Sequence, residues 1–173
     1  PFRRIDPGAR FLVVGRAPRT VALSHFFFYK SHPLLEVPKD LVLDGFVGMC
    51  SGGDLYFGDY FTRLADWSAA RHPDILPSQV LTLSYEDLVH DKARMVRRIT
   101  AFLLPDFQLD ETQVSDIVAA TEFERMKSDI SENPQSFHFN PDTFFRAGTV
   151  NDWEHHLSPQ AAAAIQDRMQ KSA

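Results

Sequence analysis

Runs of apolar residues along this chain are short and punctuated, and their spacing predicts alternating strands and helices. Residues 11–15, Phe-Leu-Val-Val-Gly, are continuously apolar, which predicts a buried strand covered on both faces. Pro18 suits a first helical turn, and residues 20–29 are apolar enough to predict a packed helix. Pro33, Pro38, Gly45, Gly48, Gly52 and Gly53 break residues 31–53 into short pieces. Asp54 is a candidate cap for a helix over 55–72, with Tyr56, Tyr60, Phe61, Leu64 and Trp67 along one side. Residues 79–84 predict a second strand, and Tyr85-Glu86-Asp87-Leu88 leads out of it into helical sequence. Amphipathic helices are predicted over 92–104, stopped by Pro105, and over 110–120, with Val114, Ile117 and Val118 facing inward. Residues 131–152 show no clean period and read as a long loop. Ser158 and Pro159 supply an N-cap and a first-turn proline for a last helix through residue 169.

The pattern is α/β: a parallel sheet flanked by helices, in one domain over residues 1–173. Its 44% apolar content suits a real core and speaks against disorder. Only two strands emerge, so an edge or half of the sheet is expected to be missing. The first residues lack an initiator Met and the apolar core of a signal peptide, and no run is long enough to span a membrane. The expectation is a fragment, or the ordered part of something longer, that is poorly stable alone because it exposes apolar sheet surface.

The formal net charge of −5 gives no bulk attraction for nucleic acid or an anionic membrane. A local cluster of arginines can still hold a small anion. Cys50 is the chain's one cysteine, which excludes an internal disulfide and fits a reducing compartment. The histidines form no metal pattern, and neither a nucleophile elbow nor a Walker-type loop is present.

Two basic segments stand out. Arg16 follows the first strand at a βα turn, where ligands of parallel α/β sheets dock. Ser24 lies about two helical turns further on, so the pair can clamp a phosphate, with Arg19 as a substitute for Arg16. The plainer reading is a surface arginine and a helix-interior serine. At the other end, Phe145-Arg146-Ala147-Gly148 joins a planar guanidinium fork to a glycine that lets backbone N–H groups approach a ligand. Tyr85, at the end of the second strand, can stack on a base or be a core-edge tyrosine. Thr121, Phe123 and Met126 are pocket lining or simply core, as are the aromatics at 26–29.

Taken together, these segments resemble the cytosolic sulfotransferase family, from about Phe11 to Asp167. The resemblance rests on Val13-Val14-Gly15-Arg16-Ala17-Pro18-Arg19 with Ser24 and Tyr29-Lys30, on Gly58-Asp59-Tyr60-Phe61 with Trp67, and on Leu83-Ser84-Tyr85-Glu86-Asp87-Leu88. Thr121-Glu122-Phe123-Glu124-Arg125-Met126 and Phe145-Arg146-Ala147-Gly148-Thr149-Val150-Asn151-Asp152-Trp153 complete it, in family order. It implies the P-loop-NTPase-like sulfotransferase fold, partial in this chain. It also implies transfer of a sulfuryl group from 3′-phosphoadenosine 5′-phosphosulfate (PAPS) to a hydroxyl or amine, leaving 3′-phosphoadenosine 5′-phosphate (PAP). Arg16, Ser24, Arg146 and the Gly148 backbone would bind the 3′-phosphate, with Phe145 and Ala147 in the same loop. Tyr85, Thr121, Phe123 and Met126 would lie at the adenine, and Trp153 would buttress the loop. Phe26, Phe46, Tyr56 and Phe144 are candidates for the wall of a pocket taking a small apolar acceptor. The expected partner is that acceptor, with neither nucleic acid nor membrane, and the expected location is the cytoplasm.

The departures from the family pattern are specific. Ala17 replaces the family's Asn in Arg-Asn-Pro, and Ala147 replaces its Lys in Arg-Lys-Gly. Glu154, Ser158, Pro159 and Ala163 stand where the family carries a dimer motif. The family's lysine-bearing phosphosulfate loop and catalytic histidine have no counterpart in this sequence, so the resemblance assigns no catalytic residue here. The alternative is a degenerate relative that binds nucleotide, or serves as a protein-interaction scaffold, without catalysis.

Overall fold

The computed structural model describes residues 6–32, 34–35, 37–52, 55, 58, 60–68, 75–132 and 144–172. The element order is β1 (Phe11–Gly15), α1 (Pro18–Ser31), α2 (Leu43–Gly52), α3 (Tyr60–Ser68), β2 (Val80–Ser84), α4 (Tyr85–His90), α5 (Lys92–Leu103), α6 (Glu111–Ala120), α7 (Phe123–Glu132) and α8 (Pro159–Ser172). Short 3₁₀ turns at Pro77–Gln79 and Asp152–His155 precede β2 and α8.

β1 and β2 pair in parallel, in register from Phe11↔Val80 to Gly15↔Ser84. That register matters for function. Both strands end at the same level, so the turns that follow, at Arg16 and at Tyr85, open side by side. The expectation that both faces of β1 are covered is not met, since Leu12 is 40% and Val14 52% exposed. Side chains alternate across a strand, and here one set is packed while the other faces outward among the described residues.

The helices start where local chemistry dictates. Pro18 occupies the first turn of α1. The Ser84 hydroxyl accepts from the Asp87 N–H at 2.9 Å, and the Asp91 carboxylate accepts from the Arg94 N–H at 3.0 Å. Asp110 and Gln113 form a reciprocal capping box on α6. In α6 Val114 is buried, but Ile117 is 37% exposed, so the inward face is narrower than the spacing predicts.

Three element assignments differ from the sequence reading. Residues 43–52 form α2 despite three glycines, because Phe46 and Val47 are buried and anchor it against α1 and α8. The helix expected from Leu55 begins only at Tyr60. Gly58 sits at φ +76° and its N–H donates to Leu55 O at 2.8 Å, a left-handed turn that a continuing helix cannot contain. The long loop expected from residue 131 is preceded by α7, and residues 133–143 of that loop lie outside the described residues.

Two apolar clusters hold α1 in place. One joins Ala22 to Val47, Phe61, Ala161 and Ile165; the other joins Phe26 and Tyr29 to Phe46. α1 therefore packs against α2 and α8 on one side, and its opposite side is left to form a cavity wall.

Candidate functional site

A cavity of about 490 Å³ opens at the carboxyl ends of β1 and β2. Arg16, Ser24, Tyr85, Phe123, Met126, Phe145, Arg146, Ala147 and Gly148 all line it. Ten cofactor residues are expected from the sequence, and these are nine of them. Among the described residues, none that lines the cavity is acidic.

Arg16 is braced from three sides. The Tyr60 hydroxyl donates to Arg16 O at 2.6 Å and accepts the Arg16 N–H at 3.2 Å. The next N–H, of Ala17, donates to the Glu86 carboxylate at 2.9 Å. The guanidinium carbon lies 3.9 Å from the centre of the Tyr85 ring. Burial lowers the Arg16 pKa from its ordinary value, and repulsion from Arg146 acts the same way, while Tyr85 and Glu86 oppose it. Arg16 Nε is buried without a hydrogen-bond partner. A buried donor left in this state costs free energy, and an anion in the cavity would offset the repulsion between the arginines.

Arg146 arrives from the other end of the chain. It pairs with Asp152 and stacks over Phe27 at 4.4 Å. His156 Nε2 approaches the same carboxylate at 3.5 Å. The loop bearing Arg146 is fixed to α1 by the Thr20 hydroxyl, which donates to Val150 O at 3.1 Å, and by Arg19, stacked on Trp153 at 4.7 Å. Trp153 thus sits as a buttress.

Gly148 has φ +63°, and a Cβ there would meet Phe123 Cδ2 at 2.8 Å. Glycine is needed both for the backbone conformation and for the ring that covers it. Phe123 in turn meets Phe145 edge-on at 5.6 Å.

Thr121 does not line this cavity. Its hydroxyl donates to Ile117 O at 2.8 Å and Val118 O at 3.1 Å, closing the end of α6. It borders a second, more apolar groove of about 810 Å³ between α4–α5 and α6–α7. The two spaces meet at Tyr85, Phe123, Met126 and Gly148. A charged half and an apolar half joined by aromatic rings suit a ligand with a phosphate and a planar base.

The acceptor-wall expectation fares differently. Phe46 is fully buried, and Phe26 packs beside it at 5.7 Å, so both are core and cannot line an open pocket. Phe144 does line the cavity and is half-exposed, while Tyr56 lies outside the described residues. Sequence reasoning passed over His25, Tyr60 and Glu86. His25 borders the cavity beside Ser24, an adjacency legible in principle. Tyr60 and Glu86 act on Arg16 and Ala17 from 44 and 69 positions away, for which no local signal exists. Among the described residues no group of histidine, cysteine or carboxylate side chains can hold a metal ion, and no helix is long and apolar enough to cross a membrane.

Fold and cavity define a parallel α/β domain with an anion-suited pocket where its strands end. The sulfotransferase-domain family model matches residues 2–173, and the chain belongs to that family. It is 28% identical to the 3-alpha-hydroxysteroid sulfotransferase of Cavia porcellus over 161 residues, 91% of this chain and 53% of that protein. It is 29% identical to sulfotransferase 1C2 of Rattus norvegicus over 154 residues, 86% of this chain and 49% of that protein. The chain thus spans about half the length of the curated relatives it matches. A solved structure of mouse sulfotransferase SULT7A1 complexed with PAP superposes with a TM-score of 0.81 at 22% identity, covering 95% of this chain and 58% of that one. Retinol dehydratase complexed with retinol and PAP gives a TM-score of 0.79 at 22% identity, covering 94% and 47%.

Proposed function

We propose that the protein transfers a sulfuryl group from PAPS to a hydroxyl or amine of a small apolar acceptor, and that this chain supplies its nucleotide site. The observation that carries the reading is the cavity itself. Two arginines from opposite ends of the chain, with Ser24 and Gly148, face a space in whose wall the described residues include no carboxylate. The two guanidinium-bearing residues and the left-handed Gly148 fit a 3′-phosphate. PAP accompanies the solved relatives SULT7A1 and retinol dehydratase, which supports the same ligand here.

When bound, PAPS supplies the sulfuryl group; the residues of this chain bind and orient. Arg16, Ser24 and Arg146 hold the 3′-phosphate, and the Gly148 backbone approaches it closely. Tyr85, Phe123 and Met126 wall the adenine, with Thr121 bordering the groove beyond. Holding the donor fixed reduces the entropy that the transfer step must overcome. The same reading keeps the protein in the cytoplasm, where Cys50, the chain's one cysteine, stays reduced.

The acceptor class follows the relatives, which include hydroxysteroid and amine sulfotransferases. The test is transfer of labelled sulfate from PAPS to a panel holding a hydroxysteroid, a phenol and an aliphatic amine, using the natural protein. Labelled product with at least one acceptor supports the enzyme. Ala147, at the cavity wall where a lysine is the family's habit, favours the competing reading of a nucleotide-binding scaffold. PAP binding without transfer to any acceptor would favour that scaffold.

A further inference from the structure

α5 begins at Lys92, across the apolar groove from the turn that joins α6 to α7. Lys92 Nζ donates to Thr121 O at 3.1 Å and pairs with the Glu122 carboxylate at 2.9 Å. One ammonium thus holds two consecutive residues of that turn. Among the described residues the other polar link from α5 to α6, Arg97 with Glu111, lies at the opposite end of α6. Phe123 follows the latched pair directly. Its ring closes over Gly148, meets Phe145 edge-on, and is one of the side chains shared by the phosphate-sized cavity and the groove.

Energetics separate a positioning role from a stabilising one. The Lys92 side chain is 26% exposed and the Glu122 carboxylate 55%, and an ion pair this open adds little to folding. The bond to Thr121 O is charge-assisted and directional, so it fixes where the turn sits. Nothing in the sequence marks Lys92: it reads as a solvated first-turn lysine.

We infer that Lys92 is a positioning residue, a latch that holds the turn at 121–123 across the groove and so sets the Phe123 ring against which a purine packs. The inference rests on the nucleotide reading above. It assigns to Lys92 a larger effect on the base end of the ligand than on the phosphate end, because Arg16 and Arg146 are held by other contacts.

The test compares two ligands by calorimetry on the natural protein: PAP, and ribose 3,5-bisphosphate, which has both phosphates and no base. Lys92→Met keeps the aliphatic stem and removes the charge. It is expected to weaken PAP by up to about tenfold, the full worth of one charged hydrogen bond, while changing the bisphosphate less than about twofold. Lys92→Arg is expected to restore PAP affinity, since a guanidinium can reach both oxygens. Glu122→Gln, which spares the bond to Thr121 O, should weaken PAP less than Lys92→Met does and keeps the test decisive if the methionine variant misfolds. Equal weakening of both ligands, or unchanged PAP affinity, overturns the latch. A parent protein that binds neither ligand overturns the nucleotide reading itself, and the latch with it.

Discussion

Arg16 is held where burial and a second guanidinium both oppose its charge, and the Tyr60 hydroxyl is what fixes its backbone. Tyr60→Phe removes a bond at each of the Arg16 N–H and C=O. It is expected to lower stability by about 1–3 kcal/mol and to weaken PAP, measured by denaturant titration and calorimetry. His25 yields a pH dependence. Burial first, and Arg16 second, hold its pKa below the ordinary 6.5. The unfolded chain therefore takes up the proton before the folded chain does, and acid favours unfolding. This contribution to stability is complete well above pH 6.5 and is lost as pH falls through 6.5 toward the depressed folded value. The denaturation midpoint should fall between about pH 7.5 and 5, and His25→Gln should flatten that part of the profile. A profile of equal slope in parent and variant contradicts this. Arg16 was legible from a strand end and a proline, Ser24 from helical spacing and Arg146 from the glycine two residues on; the residues that brace them were not, because their contacts are made by folding alone.

The strands and α1, α5, α6 and α8 follow from period, caps and prolines, and the sequence predicts each of them. α2 was hidden because Gly45, Gly48 and Gly52 lower local propensity while burial of Phe46 and Val47 overrides it. α7 carried a signal, Phe123, Met126 and Ile130 on one helical face, which the reading of these residues as pocket lining obscured. Two substitutions separate the site-bearing loop from the scaffold. Gly148→Ala imposes a left-handed alanine and a clash with Phe123. It should cost about 1–2 kcal/mol and weaken PAP as well. Ser158→Ala removes the hydroxyl that accepts the Ala161 N–H at 3.1 Å, at the start of α8. It should cost about 1 kcal/mol and leave PAP affinity unchanged, because no described side chain of α8 lines the cavity. Thermal melts and titrations of the two variants side by side decide the matter: PAP affinity lost in both, or in neither, contradicts the division.

At the scale of the molecule, a chain of net charge −5 concentrates two guanidiniums at one end of a short parallel sheet. The bulk charge said nothing about this cavity, which exists only because register aligns two strand ends and a loop from beyond residue 143 folds back over them. The acceptor wall was the least legible part. Phe26 and Phe46 look like pocket aromatics in sequence, but a core of this size needs them inside. The central claim is that Arg16 and Arg146 together recognise a 3′-phosphate, and the direct measurement is the ratio of affinities for PAP and for adenosine 5′-phosphate, which lacks that group. The natural protein should prefer PAP by about a hundredfold or more, the scale of two charge-assisted contacts, and Arg146→Ala should abolish most of that preference. Equal affinity for the two nucleotides in the natural protein, or a preference that survives Arg146→Ala intact, would contradict the claim.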